Sequence, residues 1–129
     1  MTRRPDAAKL APPVNHSEFH ILLALADHER HGYGIMKEVA ARFANTVRLG
    51  PGTLYGAIKR MLASGLIEVS AVRPVAKNDD ERRRCYYRLT SLGRTVAAEE
   101  AERLAALVRV AEAKRLVRNQ VPSVAGGAS

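Results

Sequence analysis

"LGPGTLYGAIKRMLASGLI", residues 49–67, carries two helical faces of different chemistry. Leu54, Ile58, Met61 and Leu62 recur at the spacing of one apolar face. Thr53, Tyr55, Lys59 and Arg60 occupy another, and these are residue types that contact phosphates and base edges. Pro51 and Thr53 suit a helix start. Gly65 suits the left-handed residue that ends a helix, with Leu66 folding back on the last turn. The stretch predicts a helix over 52–64, packed on one side and open to a ligand on the other.

The residues before it supply something to pack against. "NHSEFHILLALADHE" (15–29) predicts a helix opened by Asn15 and Glu18 at capping-box spacing, with Ser17 as the alternative cap. Ile21, Leu22, Leu23 and Leu25 make it apolar nearly all round, which places it centrally. Gly32 and Gly34 read as a turn. "YGIMKEVAARF" (33–43) predicts a second helix with Ile35, Met36, Val39, Ala40 and Phe43 on one face. The Gly-Pro-Gly of "ANTVRLGPG" (44–52) breaks the helical pattern.

After residue 65 the period changes from helical to two. In "LIEVSAVRP" (66–74), Ile67, Val69 and Ala71 alternate with Glu68 and Ser70. In "RRRCYYRLT" (82–90), Cys85, Tyr87 and Leu89 alternate with Arg84, Tyr86 and Arg88. Two such runs joined by a polar loop predict a hairpin. Thr90 then caps a helix predicted over 91–119, about 43 Å long at 1.5 Å per residue. Leu104, Leu107, Val108 and Ala111 form a stripe on it, which Val96, Ala97, Ala101 and Val117 extend. A helix that long outruns so small a domain, and its stripe asks for a second copy of the chain.

Composition narrows the function. The 129 residues carry 21 Lys+Arg against 13 Asp+Glu, a net charge of +8. That balance points to a polyanion, nucleic acid or an anionic membrane surface. No apolar run approaches the roughly 20 residues of a membrane span. The single cysteine, Cys85, excludes an internal disulfide framework and suggests a reducing compartment. It shares a strand face with Tyr87 and Leu89, which favours a buried structural role over a redox-sensing one. "MTRRPDAAKLAPPVN" lacks a long apolar core, so it does not read as a secretory signal and a cytoplasmic location is expected.

Residues 1–14 read as a flexible basic arm and 120–129 as a disordered tail. His16/His20 and His28/His31 lie about 18 Å apart along the first helix, so the four cannot make one metal site. No catalytic triad, paired-carboxylate cleft or Gly-rich phosphate loop is present in the sequence. The reading is therefore of a protein that is not an enzyme, with no metal and no cofactor.

Three helices, a hairpin and a further helix give the order of a winged helix-turn-helix: mainly α with a small β-hairpin. Residues 15–90 would form the DNA-binding domain and 91–119 a dimerisation helix. The helix over 52–64 would enter the major groove, which admits one helix. The hairpin would be the wing, with Arg73, Lys77, Arg82, Arg83, Arg84 and Arg88 against Asp79, Asp80 and Glu81. The candidate DNA contacts are Tyr33, Arg48, Thr53, Tyr55, Lys59, Arg60, Lys77, Arg82, Arg83 and Arg84. The candidate dimer contacts are Val96, Leu104, Leu107, Val108, Ala111 and Val117.

"HGYGIMKEV" (31–39), "GPGTLYGAIKRMLASGLI" (50–67) and "YYRLTSLGR" (86–94) together resemble the PadR family of bacterial transcriptional regulators, in its short subgroup with one C-terminal helix. The resemblance covers about residues 17–117. It implies a homodimeric winged-helix repressor whose last helices pack together. Two docked recognition helices then predict a palindromic operator in double-stranded DNA, and an effector, if there is one, would be a small molecule of unknown identity acting through the last helices. The resemblance also implies that Tyr33, Thr53 and Tyr55 approach the DNA backbone. Family members usually carry proline after the tyrosine of the third helix, where this chain has Gly56. Relatives that hold flat aromatic drugs use a tryptophan at the dimer interface. This chain has no tryptophan, so that ligand class is not carried over. The competing reading is a winged helix that binds a protein partner, which the cations of the third helix oppose.

Overall fold

The computed structural model describes residues 14–43, 49–73 and 84–117. Helix α1 spans His16–Leu25 and opens with the capping box: the Asn15 side chain accepts from Glu18 N–H at 2.8 Å, and the Glu18 carboxylate accepts from Asn15 N–H at 3.1 Å. The helix ends earlier than residue 29. Arg30 Nε donates to the Ala24 carbonyl at 2.7 Å, closing the end of the helix and folding the chain back. The folded-back residues Arg30–His31 form a two-residue strand, β1, too short for any periodicity to reveal.

Helix α2 spans Gly32–Phe43, so Gly32 opens a helix rather than marking a turn, and Gly34 lies inside it. His31 Nδ1 accepts the Gly34 N–H at 2.8 Å and satisfies one of the unpaired donors of the first turn. Ile35 and Val39 are buried, whereas Ala40 faces solvent.

Helix α3 spans Pro51–Ala63, with Gly50 as its N-cap and Pro51 at the first helical position. Gly65 has φ +79°; its N–H bonds the Leu62 carbonyl at 3.2 Å and the Leu66 N–H bonds Met61 at 2.9 Å. Both bonds of a left-handed helix ending are present, and Leu66 is tucked into the core. Leu54, Ala57, Ile58 and Met61 are buried; Ala57 takes the core position expected for Leu62, which is 37% exposed.

Strands β2 (Ile67–Val72) and β3 (Cys85–Leu89) pair antiparallel, and β1 adds to the far edge of β3, giving the order β1-β3-β2. The sheet therefore has three strands rather than the two of a hairpin. Its register shifts between Val69, opposite Tyr87, and Ala71, opposite Tyr86. Ser70 is the extra residue of a β-bulge, so Val69 and Ala71 lie on opposite faces instead of sharing one. Tyr87 is buried, and that burial pushes its hydroxyl above the ordinary tyrosine range, with the Cys85 thiol adding to the shift.

The core gathers Ile21, Leu22, Ala24 and Leu25 of α1, Ile35 and Val39 of α2, the inner face of α3, and Leu66, Ile67 and Tyr87. α1 stands in the middle, as its all-round apolar surface requires. Cys85 is half-buried against this core.

Helix α4 spans Ser91–Ala113, about 34 Å, and stops short of residue 119. Arg115 takes the left-handed conformation at φ 60°, its N–H bonding Glu112 at 2.9 Å while Leu116 N–H bonds Ala111 at 2.8 Å. Val117 lies past this turn, so it does not extend the helical stripe. The start of α4 is bolted to the end of α3. Thr90 Oγ1 accepts the Gly93 N–H at 3.0 Å and donates to the Gly65 carbonyl at 2.5 Å, while Thr90 N–H bonds Leu66 at 3.1 Å. Val96 and Ala97 pack on the core, and Glu100, 7% exposed, pairs with Arg103. Beyond Arg103 the helix leaves its own domain. No helix among the described residues is long and apolar enough to cross a membrane.

Candidate nucleic-acid interface

The buried residues of α3 fix what its opposite face presents. At 100° per residue, Gly52, Gly56, Lys59 and Ala63 lie opposite Leu54, Ala57, Ile58 and Met61. Lys59 is exposed and rises from a face otherwise made of small residues. No carboxylate among the described residues pairs with it. Thr53 is exposed on one flank. Arg60 is exposed on the same flank, with Nε 3.2 Å from a Glu18 carboxylate oxygen. It therefore ties α3 to the first turn of α1. Tyr55, on the other flank, packs against the core with its hydroxyl buried.

Tyr33 sits half-buried in the first turn of α2, with the Lys37 ammonium 5.6 Å from its ring centre. Arg84 is exposed at the start of β3. The structure thus brings Thr53, Lys59 and Arg60 to one exposed helix surface, Tyr33 to the neighbouring helix start and Arg84 to the root of the wing. Arg48, Lys77, Arg82 and Arg83 lie outside the described residues.

The small residues on the outward face of α3 are not required by packing within the chain. A Cβ on Gly52 would meet nothing within 4 Å, and one on Gly56 would meet only Arg60 Nη1, at 3.6 Å. Glycine inside a helix costs about 1 kcal/mol relative to alanine. Gly56→Ala is therefore expected to raise folding stability by about that amount. If the backbone of α3 closely approaches DNA, the same substitution weakens binding. Thermal unfolding and DNA titration of one variant read both signs; unchanged affinity would remove close approach at Gly56.

Sequence reasoning missed a second group. The Arg73 guanidinium lies 4.2 Å from the centre of the Tyr86 ring, and the His31 ring meets Tyr86 edge-on at 5.0 Å. Strict alternation gave no signal for this grouping, because the bulge at Ser70 is what moves Ala71 and Arg73 onto the face of Tyr86. Elsewhere, burial and neighbouring His16 hold His20 below the ordinary histidine range. No cluster of three or more His, Cys, Asp or Glu that could hold a metal occurs among the described residues.

A winged helix with an exposed cationic face on its third helix is the arrangement of a DNA reader, and comparison with known proteins agrees. The family model described as "Transcriptional regulator PadR-like family" matches residues 21–99. The chain belongs to this family. Its members are transcriptional regulators, not enzymes. The PadR-like chain is 39% identical over 90 residues to the transcriptional regulator Rv3488 of Mycobacterium tuberculosis, covering 70% of this chain and 77% of that protein. It is also 39% identical over 94 residues to a 37.1 kDa protein of transposon TN4556 from Streptomyces fradiae. That match covers 73% of this chain but only 24% of the Streptomyces protein's length. Among solved structures, a PadR family transcription regulator from Clostridium difficile superposes with a TM-score of 0.60 at 26% identity, covering 76% of this chain and 96% of that one. The family match runs from within α1 into α4, across the winged helix.

Proposed function

We propose that this PadR-like regulator is a homodimeric repressor that reads a palindromic operator through α3 and the wing. The observation that carries the reading is the division of α3: one face wholly buried, the other exposed, low in profile and cationic at Lys59. Lys59 and Thr53 would meet the DNA directly. Arg60 would contact a phosphate beside its bond to Glu18, and Tyr55 would support the helix from beneath through its ring. Arg48, Lys77, Arg82, Arg83 and Arg84 would add backbone contacts from the loop before α3 and from the wing.

Two copies would join along Leu104, Leu107, Val108 and Ala111 of α4, with Val96 close to the domain. Recognition helices in such a pair sit about 34 Å apart, one turn of B-DNA. Occupancy of the operator would block transcription, and an effector would release it by changing the angle between the two α4 helices.

The test is titration of the DNA upstream of the protein's own gene across a salt series, with Lys59→Ala beside wild type. Removing one phosphate contact is expected to lower the salt slope by about 1 and weaken binding. Equal slopes would remove Lys59 from the interface. Weak wild-type binding that is the same on any DNA would instead bring forward the partner-binding reading.

A further inference from the structure

The end of α3 and the start of α4 are joined through one side chain. Gly65 and Leu66 close α3, their N–H groups bonded back to Leu62 and Met61. Their carbonyls turn to Thr90. The Thr90 hydroxyl donates to Gly65 at 2.5 Å and lies 3.1 Å from the Leu66 oxygen, which also accepts the Thr90 N–H at 3.1 Å. The same hydroxyl oxygen accepts the Gly93 N–H at 3.0 Å, which makes Thr90 the N-cap of α4. The residues that close α3 are therefore held by the residue that opens α4.

Two further contacts fix the direction in which α4 leaves. A Cβ on Gly93 would sit 1.9 Å from the Leu66 carbonyl oxygen, so the helix already rests against that backbone and cannot roll towards it. One turn on from Thr90, Arg94 Nη2 donates to the carbonyl of Ala26, the C-cap of α1, at 3.3 Å. The first turn of α4 is thus tied to the ends of both α3 and α1. Val96 and Ala97 pack on the core as well. Apolar contact is non-directional and tolerates small rotations, whereas a hydrogen bond weakens steeply as its angle departs from linear. The angle between α3 and α4 is therefore held by the polar contacts. That angle has leverage: the 13 residues of α3 extend about 20 Å back from the junction. A rotation of about 10° there swings the N-terminal end of α3 by about 3.4 Å, the rise of one base pair.

We infer that Thr90, supported by Arg94, is a positioning residue that sets the half-site spacing the regulator accepts, by holding each α3 at a fixed angle to the joined α4 helices. The inference rests on the dimeric operator reading above. Thr90 is half-buried beyond the C-terminal end of α3, whereas base edges are met by the N-terminal residues of a recognition helix. A single half-site therefore keeps its contacts when Thr90 is changed. The effect appears only when two half-sites are engaged together, because linkage strengthens binding only where the geometry lets both fit at once.

The experiment starts from the duplex footprinted upstream of the protein's own gene. Four DNAs are made from it: the native site, the site with one base pair added between the half-sites, the site with one removed, and a single half-site. Wild type, Thr90→Ser, Thr90→Val and Arg94→Ala are titrated on each, and each free protein is sedimented. Wild type is expected to lose about 10-fold or more in affinity for a change of one base pair in either direction. Thr90→Val keeps the size of the side chain without its hydroxyl. It is expected to weaken the native site about 10-fold, to shrink the spacing preference to about 3-fold or less, and to leave the single half-site unchanged. Thr90→Ser keeps the hydroxyl and is expected to keep the preference. Arg94→Ala, at an exposed position, is expected to fall between. A Thr90→Val protein with the wild-type spacing preference overturns the inference and leaves the dimeric reading standing. A loss on the single half-site as large as on the full site also overturns it, since that marks a damaged domain. Should Thr90→Val fail to fold, Arg94→Ala decides, and an unchanged preference there overturns the inference. A wild type that sediments as a monomer, or binds one half-site as tightly as two, overturns the dimeric reading and the inference with it.

Discussion

Gly93→Ala is expected to unfold the domain or cut its stability severely. A Cβ at this position would sit 1.9 Å from the Leu66 carbonyl oxygen and 2.9 Å from its carbon. Those are backbone atoms, so no side-chain rotation relieves the contact; either α4 lifts away or the end of α3 moves. Neither is independent, because Thr90 binds both through the Gly65 and Leu66 carbonyls and the Gly93 N–H. Overpacking at a site that can relax costs about 1–3 kcal/mol, and this one cannot relax locally. A loss of about 3 kcal/mol or more corresponds to a fall in Tm of at least about 12 °C for a domain of this size. Gly52→Ala is the matching control, since its Cβ would meet nothing within 4 Å. Thermal unfolding of the two variants checks the claim, and a Gly93→Ala protein as stable as wild type would show that the α3–α4 junction is looser than its geometry.

The second large effect is expected on α4. Leu107 is 53% exposed and Val108 46% exposed in the single chain, so charging them removes little packing from that chain. Leu107→Glu/Val108→Glu is therefore expected to leave the folded domain intact while separating the two copies of the proposed dimer. Losing the second recognition helix loses the effective concentration that linkage supplies, which is worth about 100-fold or more in affinity. Sedimentation and operator titration on one preparation read both consequences. A variant that stays dimeric would place the interface elsewhere, and a monomer that binds as tightly as wild type would deny the need for two half-sites.

Some elements were legible in the sequence because their causes are local. The Asn15–Glu18 box, Pro51 at the start of α3, Gly65 at its end and Thr90 at the start of α4 each act within a few residues of themselves. The inner face of α3 was legible because period 3.6 survives any packing that buries one side. Lys59 was legible as the residue left on the other side. The three-stranded sheet was not, because Arg30–His31 pairs with residues far along the chain and is too short to show a period. The last helix was predicted too long because its hydrophobic pattern runs on past Ala113, where Arg115 takes a conformation that non-glycine residues seldom adopt.

The same division applies to function. Sequence alone determined the order of the four helices and the hairpin, the basic charge and the two-faced third helix, since each is set by residue type and spacing along the chain. Tertiary structure decided how the polar side chains are used. It drew Arg60 towards Glu18 and turned the Tyr55 hydroxyl inward. Through one extra residue at Ser70, it laid Arg73 over Tyr86. Those outcomes depend on pairings between residues distant in sequence, and a single bulge reverses which face a side chain occupies, so no local pattern could encode them.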